Sequence, residues 1–277
     1  VFRRLIQSKG GVVGIVLIGA LLLIAVLAPV IAPYSTTKQS FAIAFRTPDR
    51  EHLLGTDSYG RDILSRVIFG ARVSLKVAIL ATGVGLLVGS TLGLVAGYFG
   101  GWVDHLIQWI ADISWAFPTV LYALVLTVII GPGLWTALMA IGLSYWARFE
   151  RLIRAEVLVT REQDFVEAAQ AIGSSDAGII LRHIVPNSTA STVVVFTLIM
   201  GQAIAEEAML SFLGIGTQPP TPSWGLMLAE GREFITNAPW ITIFPGIAIA
   251  LVVIGFSLLG DGIRDALDPR LKGVIGI

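Results

Sequence analysis

"FVEAAQAIGSSDAGIILRHIVPN" (residues 165–187) is a polar, punctuated stretch set between two greasy runs. Phe165, Ala168, Ala169 and Ile172 recur at i, i+3, i+4 and i+7, the stripe of an amphipathic helix, with Glu162, Gln163, Glu167 and Gln170 largely opposite. The stripe is mostly alanine, so it would bury little area as a membrane anchor, but small side chains let a backbone approach another surface closely. Gly173 falls where that helix should end and supplies the left-handed conformation that other residues resist. Ser174 or Ser175 can cap a second helix with Asp176 in its first turn. That helix shows Ile179, Ile180, His183 and Ile184 on one side and is expected to stop before Pro186. The pattern describes two short helices at an angle, a knob shaped for docking. Patterning equally allows an ordinary long loop folded back on a membrane surface.

The surroundings are those of a polytopic membrane protein. The chain of 277 residues is 55% hydrophobic and only 14% charged, against about 25% charged in soluble domains. Net charge is zero, so no basic field argues for nucleic acid. With no cysteine, disulfides, thiolate metal sites and thiol nucleophiles are excluded. His52, His105 and His183 stand far apart, which argues against a histidine metal centre. No linker, tract or tandem repeat divides residues 1–277, which read as one membrane domain.

A crossing helix needs about 20 apolar residues. Residues 11–32 supply one, and are too long for a signal-peptide core despite Arg3, Arg4 and Lys9 in front. They are read as a retained span, although the start at Val1 rather than Met leaves room for missing residues. Residues 77–102 supply a second. The uncharged run 113–147 is too long for one helix and is divided at Gly131-Pro132-Gly133. Its first half begins near Trp102, with Asp104 and Asp112 at one end, and its second half continues through Phe149 and Leu152. Residues 188–205 and 240–260 complete an all-α count of six spans. With both termini inside, eleven Lys/Arg lie on the inner side against eight outside, which favours N-in/C-in. That places 148–187 in the cytoplasm and 33–76 and 212–239 outside. In 33–76, Ile63, Val67, Ile68 and Val73 suggest either a surface-lying helix with Arg61, Arg66 and Arg72 at its polar edge, or a solvated loop ending in a helix. In 212–239, Pro219, Pro220, Pro222 and Pro239 favour an extended turn followed by a short helix over 224–234, lying on or dipping into the outer face.

"EAAQAIG" followed by "IVP" resembles the EAA signature of ABC importer permeases, with Val185 where leucine usually precedes the proline. "HLLGTDSYGRDILSRVIFGARVSL" (52–75), "GYFGGWVD" (97–104), "LSFLGIGTQPPTPSWGLML" (210–228) and "LLGDGIRDALDPRLKG" (258–273) resemble the C-type subunit of the dipeptide/oligopeptide/nickel permease group. The resemblance implies a type I importer half-pore for peptides, nickel, a metal chelate or another small solute. It implies a homologous B-type permease as partner, two cytoplasmic ATPase subunits that handle ATP-Mg, and an extracytoplasmic solute-binding protein. It also implies that the EAA element is a coupling helix, seated on an ATPase through Phe165, Glu167, Ala168, Ala169, Ile172, Gly173 and Pro186. No GxxxxGK[ST] occurs in this chain, so no nucleotide site of that kind is expected in it, nor a cofactor of its own.

Three further groups of residues are candidates. Glu206 and Glu207, in "GQAIAEEAMLSFLG", fall near the outer end of the fifth span, and ionisable residues there usually face a bundle interior or a wet cavity. One of them, with Gln202 a turn earlier, is expected on a translocation pathway or against the partner permease; the alternative is a carboxylate satisfied by water or Arg232. Asp104 and Asp112 are expected to pair with Arg148 or Arg151, and Asp261, Asp265 and Asp268 to make helix-end and tail contacts. A secondary transporter or channel is the rival class, but no midplane ion site or inverted repeat of broken helices is evident. An intramembrane enzyme would need a paired nucleophile and base, or metal ligands, inside the spans, which are not evident either.

Overall fold

Ser8 caps a helix whose apolar run is long enough to cross a bilayer, its hydroxyl accepting from the Gly11 N–H at 3.0 Å. In this computed structural model residues 2–267 are described. The features expected at Asp268, Arg270 and Lys272, and at the side chains of Arg3 and Arg4, lie outside the described residues. The described chain is helical: α1 (Phe2–Gln7), α2 (Lys9–Ile31), α3 (Ile63–Phe99), α4 (Gly101–Ala116), α5 (Thr119–Ile130) and α6 (Leu134–Thr160), followed by α7 (Asp164–Ala171), α8 (Asp176–Ile179), α9 (Val185–Phe212), α10 (Trp224–Gly231) and α11 (Trp240–Leu267). An isolated antiparallel bridge joins Thr56 to Asp62. Among the described residues four helices are long and apolar enough to cross a membrane: α2, α3, α8 running on into α9, and α11. The bent pair α4–α5 makes a fifth if taken as one crossing.

The expected break at Gly131–Gly133 is present, but the first half of that run is itself broken. Pro118 disfavours helical backbone in Phe117, so α4 ends there and α5 restarts beyond it at an angle of 89°. The second half runs unbroken to Thr160 as α6, past Phe149 and Leu152 as expected.

Between 63 and 76 there is no surface-lying helix. This stretch is the first third of α3, which continues without a break for 37 residues, about 55 Å at the α-helical rise. Asp62 caps it, accepting from the Ser65 N–H at 2.7 Å. Arg66 is 2% exposed and Arg61 is also buried; only Arg72 is exposed. Both buried guanidiniums donate to Asp57, Arg61 Nε at 2.6 Å, and both reach Glu230 of α10, at 2.9 and 2.8 Å. Asp57 and Glu230 neutralise the two arginines, which makes their burial tolerable. Beside them His52 pairs with Asp62 at 2.9 Å, Trp224 donates to the Val67 carbonyl and Trp240 to that of Thr56. Nearer the surface, the His52 and Glu51 N–H groups and the Arg46 guanidinium hold the Asp49 carboxyl below the usual carboxylate range. Loop 33–62, the start of α3 and the 213–239 segment thus form one cap over one end of the bundle. α10 is packed into that cap, with Trp224 and Met227 buried, rather than lying on its surface.

Along α3, Gly85, Gly89, Gly93 and Gly97 recur every fourth residue and make one bare edge. A Cβ at Gly89 would stand 2.2 Å from the Trp146 carbonyl oxygen, and one at Gly93 2.5 Å from that of Glu150. The α6 backbone therefore lies directly on this edge, and the two helices run in the same direction. Gly14 on Leu259, and Gly262 on Gly11, bring α2 and α11 together by the same device.

Gly89→Ala is expected to destabilise the purified chain by about 1–3 kcal/mol or prevent its folding. Gly83→Ala, where nothing lies within 4 Å, should be neutral or slightly stabilising. Thermal melting in detergent distinguishes the two.

Candidate functional site: a docking knob and a polar cleft

The knob exists, and its turn is made as the residues dictate. Gly173 adopts φ +80°, with its N–H on the Gln170 carbonyl at 2.9 Å and the Ser174 N–H on that of Ala169 at 3.0 Å, the paired bonds of a Schellman end. Ser175 caps α8, and Asp176 in its first turn accepts from the Tyr98 hydroxyl at 2.7 Å, tying the knob to the end of α3. The faces of α7 differ from the expected stripe. Val166 and Ala169 turn inward and pack with Ile153, Val157, Ile179 and Ile184. Phe165, Glu167, Ala168 and Ile172 turn outward, Ile172 being 82% exposed. Ala169 is therefore a packing residue and not part of an open docking face. The missed signal was Val166, three residues before Ala169 on the same side.

The second short helix does not stop before Pro186. After α8 the backbone widens into a π turn over Ile180–Ile184, closed by the Val185 N–H on the Ile180 carbonyl, and runs into α9. Pro186 sits in the first turn of α9, where its missing N–H leaves no gap that the wider turn does not absorb. The knob is thus fused to a membrane-crossing helix.

That same helix carries Gln202 and Glu206 to the break between α4 and α5. There, a cavity of about 160 Å³ is lined by residues including Trp115, Thr119, Ser144 and Arg148. The Arg148 guanidinium lies 5.6 Å from the centre of the Trp115 ring and 5.1 Å from that of Tyr145, and Nη1 donates to Gln202 Oε1 at 2.6 Å. The Thr119 and Ser144 hydroxyls bond at 2.7 Å, bridging α5 to α6. Trp146 Nε1 donates to the Ser114 hydroxyl at 2.9 Å, which also meets the Tyr122 hydroxyl at 2.9 Å. Glu206 is half-buried beside Tyr145, Thr119 and Arg148, and its Oε2 has no hydrogen-bond partner among the described residues.

Glu207 is not on this surface. It is 1% exposed, and its Oε1 accepts from Ser211 at 2.6 Å and Thr217 at 2.8 Å, so it anchors the segment that follows α9. Adjacent residues stand about 100° apart on a helix, which sends Glu206 and Glu207 to different neighbours. Arg232, the alternative partner, instead lies over the Phe212 ring at 5.9 Å. Asp112 pairs with Arg151 at 2.6 Å, as expected, but Asp104 takes both oxygens to Arg154, at 2.6 Å each, instead of Arg148 or Arg151. Arg148 is thereby left to the cleft. Its place there was missed, as were Trp115, Thr119 and Ser144; the available signal was Phe117-Pro118, a helix break inside an uncharged run.

Glu207→Ala strands the Ser211 and Thr217 hydroxyls and is expected to cost about 1–3 kcal/mol, read as a lowered melting temperature in detergent. Glu206→Ala should cost less.

Residues 89–273 match the family model described as the binding-protein-dependent transport system inner membrane component, and residues 1–48 match the N-terminal TM domain of oligopeptide transport permease C. The chain is 46% identical over 271 residues to the dipeptide transport system permease protein DppC of Alkalihalophilus pseudofirmus, covering 98% of this chain and 89% of that one. It is 42% identical over 272 residues to the glutathione transport system permease protein GsiD of Pectobacterium atrosepticum, covering 98% and 90%. In fold it is similar to a chain of the MetNI methionine ABC transporter in an inward-facing conformation, with TM-score 0.61 and 16% identity over 74% of this chain and 98% of that one. A chain of an amino acid ABC transporter crystallised with histidines gives TM-score 0.54 at 18% identity, covering 75% and 95%. With two thirds of its length inside the family model and such relatives along nearly all of it, the chain belongs to the binding-protein-dependent transport system inner membrane components, the multi-pass permeases of ABC importers.

Proposed function

We propose that this chain is one permease half of an ATP-driven peptide importer, coupled to its ATPase through the 165–187 knob. The observation that carries the reading is the fusion of an outward-facing apolar knob to α9, the helix whose Gln202 bonds to Arg148 at the wall of the polar cleft. A partner pressing on Phe165, Glu167, Ala168 and Ile172 moves α8, and α8 moves α9. Peptide as cargo is supported by relatives named for dipeptide and glutathione transport. In this reading the chain crosses the bilayer six times, with α4–α5 and the more charged α6 each counted as a crossing, and both termini are cytoplasmic. It pairs with a homologous B-type permease, takes cargo from an extracytoplasmic binding protein and leaves ATP-Mg to two separate ATPase subunits. Gln202 and Glu206 face the translocation pathway, while Gly173 and Pro186 set the angle and continuity of the lever.

Ile172→Arg, on a fully outward side chain, should leave the melting temperature of the isolated chain unchanged while releasing the ATPase subunits on co-purification. Gly173→Asp, forced into a φ that L residues resist, should uncouple ATP hydrolysis from the binding protein. Intact assembly and intact binding-protein-stimulated hydrolysis in both variants would sink the coupling assignment. Glu206→Gln should lower peptide uptake by the assembled complex, and unaltered uptake removes Glu206 from the pathway.

A further inference from the structure

The cleft beside the α4–α5 break holds more polar chemistry than packing requires. Arg148 stands near the middle of α6, and a charge without an ionic partner inside a helix bundle is costly. The acidic side chains near it do not form an ion pair with it: Asp112 is held by Arg151, Asp104 by Arg154, and no salt bridge joins Arg148 to Glu206 among the described residues. Its recorded hydrogen bond goes to a neutral acceptor, Gln202 Oε1, which engages only one of its five N–H donors. Trp115 and Tyr145 flank the guanidinium, limiting where its planar fork can point. The cavity against it also carries the Thr119 and Ser144 hydroxyls. No side chain caps the N-terminus of α5 at Pro118–Thr119, so the partial positive charge of that helix end adds to the same space.

An oriented guanidinium, two hydroxyls and an uncapped helix start select an anion, and the fork geometry suits a planar carboxylate. At about 160 Å³ the space admits the end of a peptide and not the whole of one. We propose that this cleft is a transient subsite for the C-terminal carboxylate of the translocating peptide, received by Arg148 against Trp115 with Ser144 and Thr119 as hydrogen-bond partners. Glu206, beside Thr119 and Tyr145, brings a carboxyl near Arg148 without pairing with it, which disfavours long residence of an anion there. A pathway site must be attractive enough to enter and weak enough to leave. The inference rests on the peptide-import reading above and specifies which part of the peptide this chain reads.

The test uses the complete transporter in proteoliposomes, with both permeases, the ATPases and saturating binding protein, and follows ATP-dependent import of trialanine and of trialanine amide. Any preference of the binding protein is common to wild type and variant, so it cancels when their acid-to-amide ratios are compared. Arg148→Gln is expected to lower trialanine import relative to the amide by about tenfold, the size expected for one lost charge-assisted contact. Ser144→Leu, which fills the cavity, should shift the ratio in the same direction. An unchanged ratio in both variants overturns the subsite, whether import as a whole falls or not. If Arg148→Gln fails to assemble, Arg148→Lys, which keeps the charge and loses the fork, is read by the same ratio together with Ser144→Leu. A wild-type complex that imports neither compound overturns the peptide reading and this inference with it, whereas import with an unchanged ratio overturns the subsite alone.

Discussion

The bare edge of α3 against the backbone of α6 is the contact on which the rest of the arrangement depends. Four glycines at every fourth position remove the side chains that would hold the helices apart, so main chain meets main chain between Gly85 and Gly97. In a bilayer no hydrophobic force distinguishes a neighbouring helix from lipid tails, and close packing has to supply the attraction. Once α6 lies on that edge, its rotation is set. Phe149 and Tyr145 go into the core, Arg148 goes to the cleft, and Ile153 and Val157 reach the knob.

The capped end is held by a different kind of interaction. Arg61, Arg66 and Asp57 are buried and Glu230 partly so, and such charges are tolerable only as a mutually neutral set. Desolvated ion pairs contribute modestly to net stability, yet each demands its partner in one geometry. Because Glu230 comes from α10 and the other three from the region around the start of α3, the cluster joins two loops distant in sequence. Glu207 does the same for the end of α9 through Ser211 and Thr217. Both contacts keep the extra-helical segments in register with the helices beneath them.

Between these fixed regions, α8 and α9 form a continuous rod with a knob at one end and Gln202 and Glu206 farther along. The π turn at Ile180–Ile184 is what makes the rod continuous past Pro186. Gly173, at φ +80°, provides the corner at which α7 turns back. α7 and α8 are clamped to the ends of α6 and α3 by Val166, Ala169 and Ile179, and by the Tyr98–Asp176 bond. The knob is therefore in contact with α3 and α6 while running on into α9.

Periodicity and punctuation in the sequence determined the apolar runs, the break at Gly131–Gly133, the glycine corner at 173 and a serine cap at 174 or 175, because each follows from local backbone preference. Local pattern did not determine which way a residue faces when two stripes are both plausible, as Ala169 shows, or whether adjacent carboxylates share a role, as Glu206 and Glu207 show. Arg61 and Arg66 looked like interfacial charges because their partner Glu230 lies more than 160 residues away. Arg148 was expected opposite Asp104 or Asp112, which are held instead by Arg154 and Arg151. Pairing of charges and exposure of faces are properties of neighbours, and the neighbours are chosen by helix packing. Only the tertiary structure decided them.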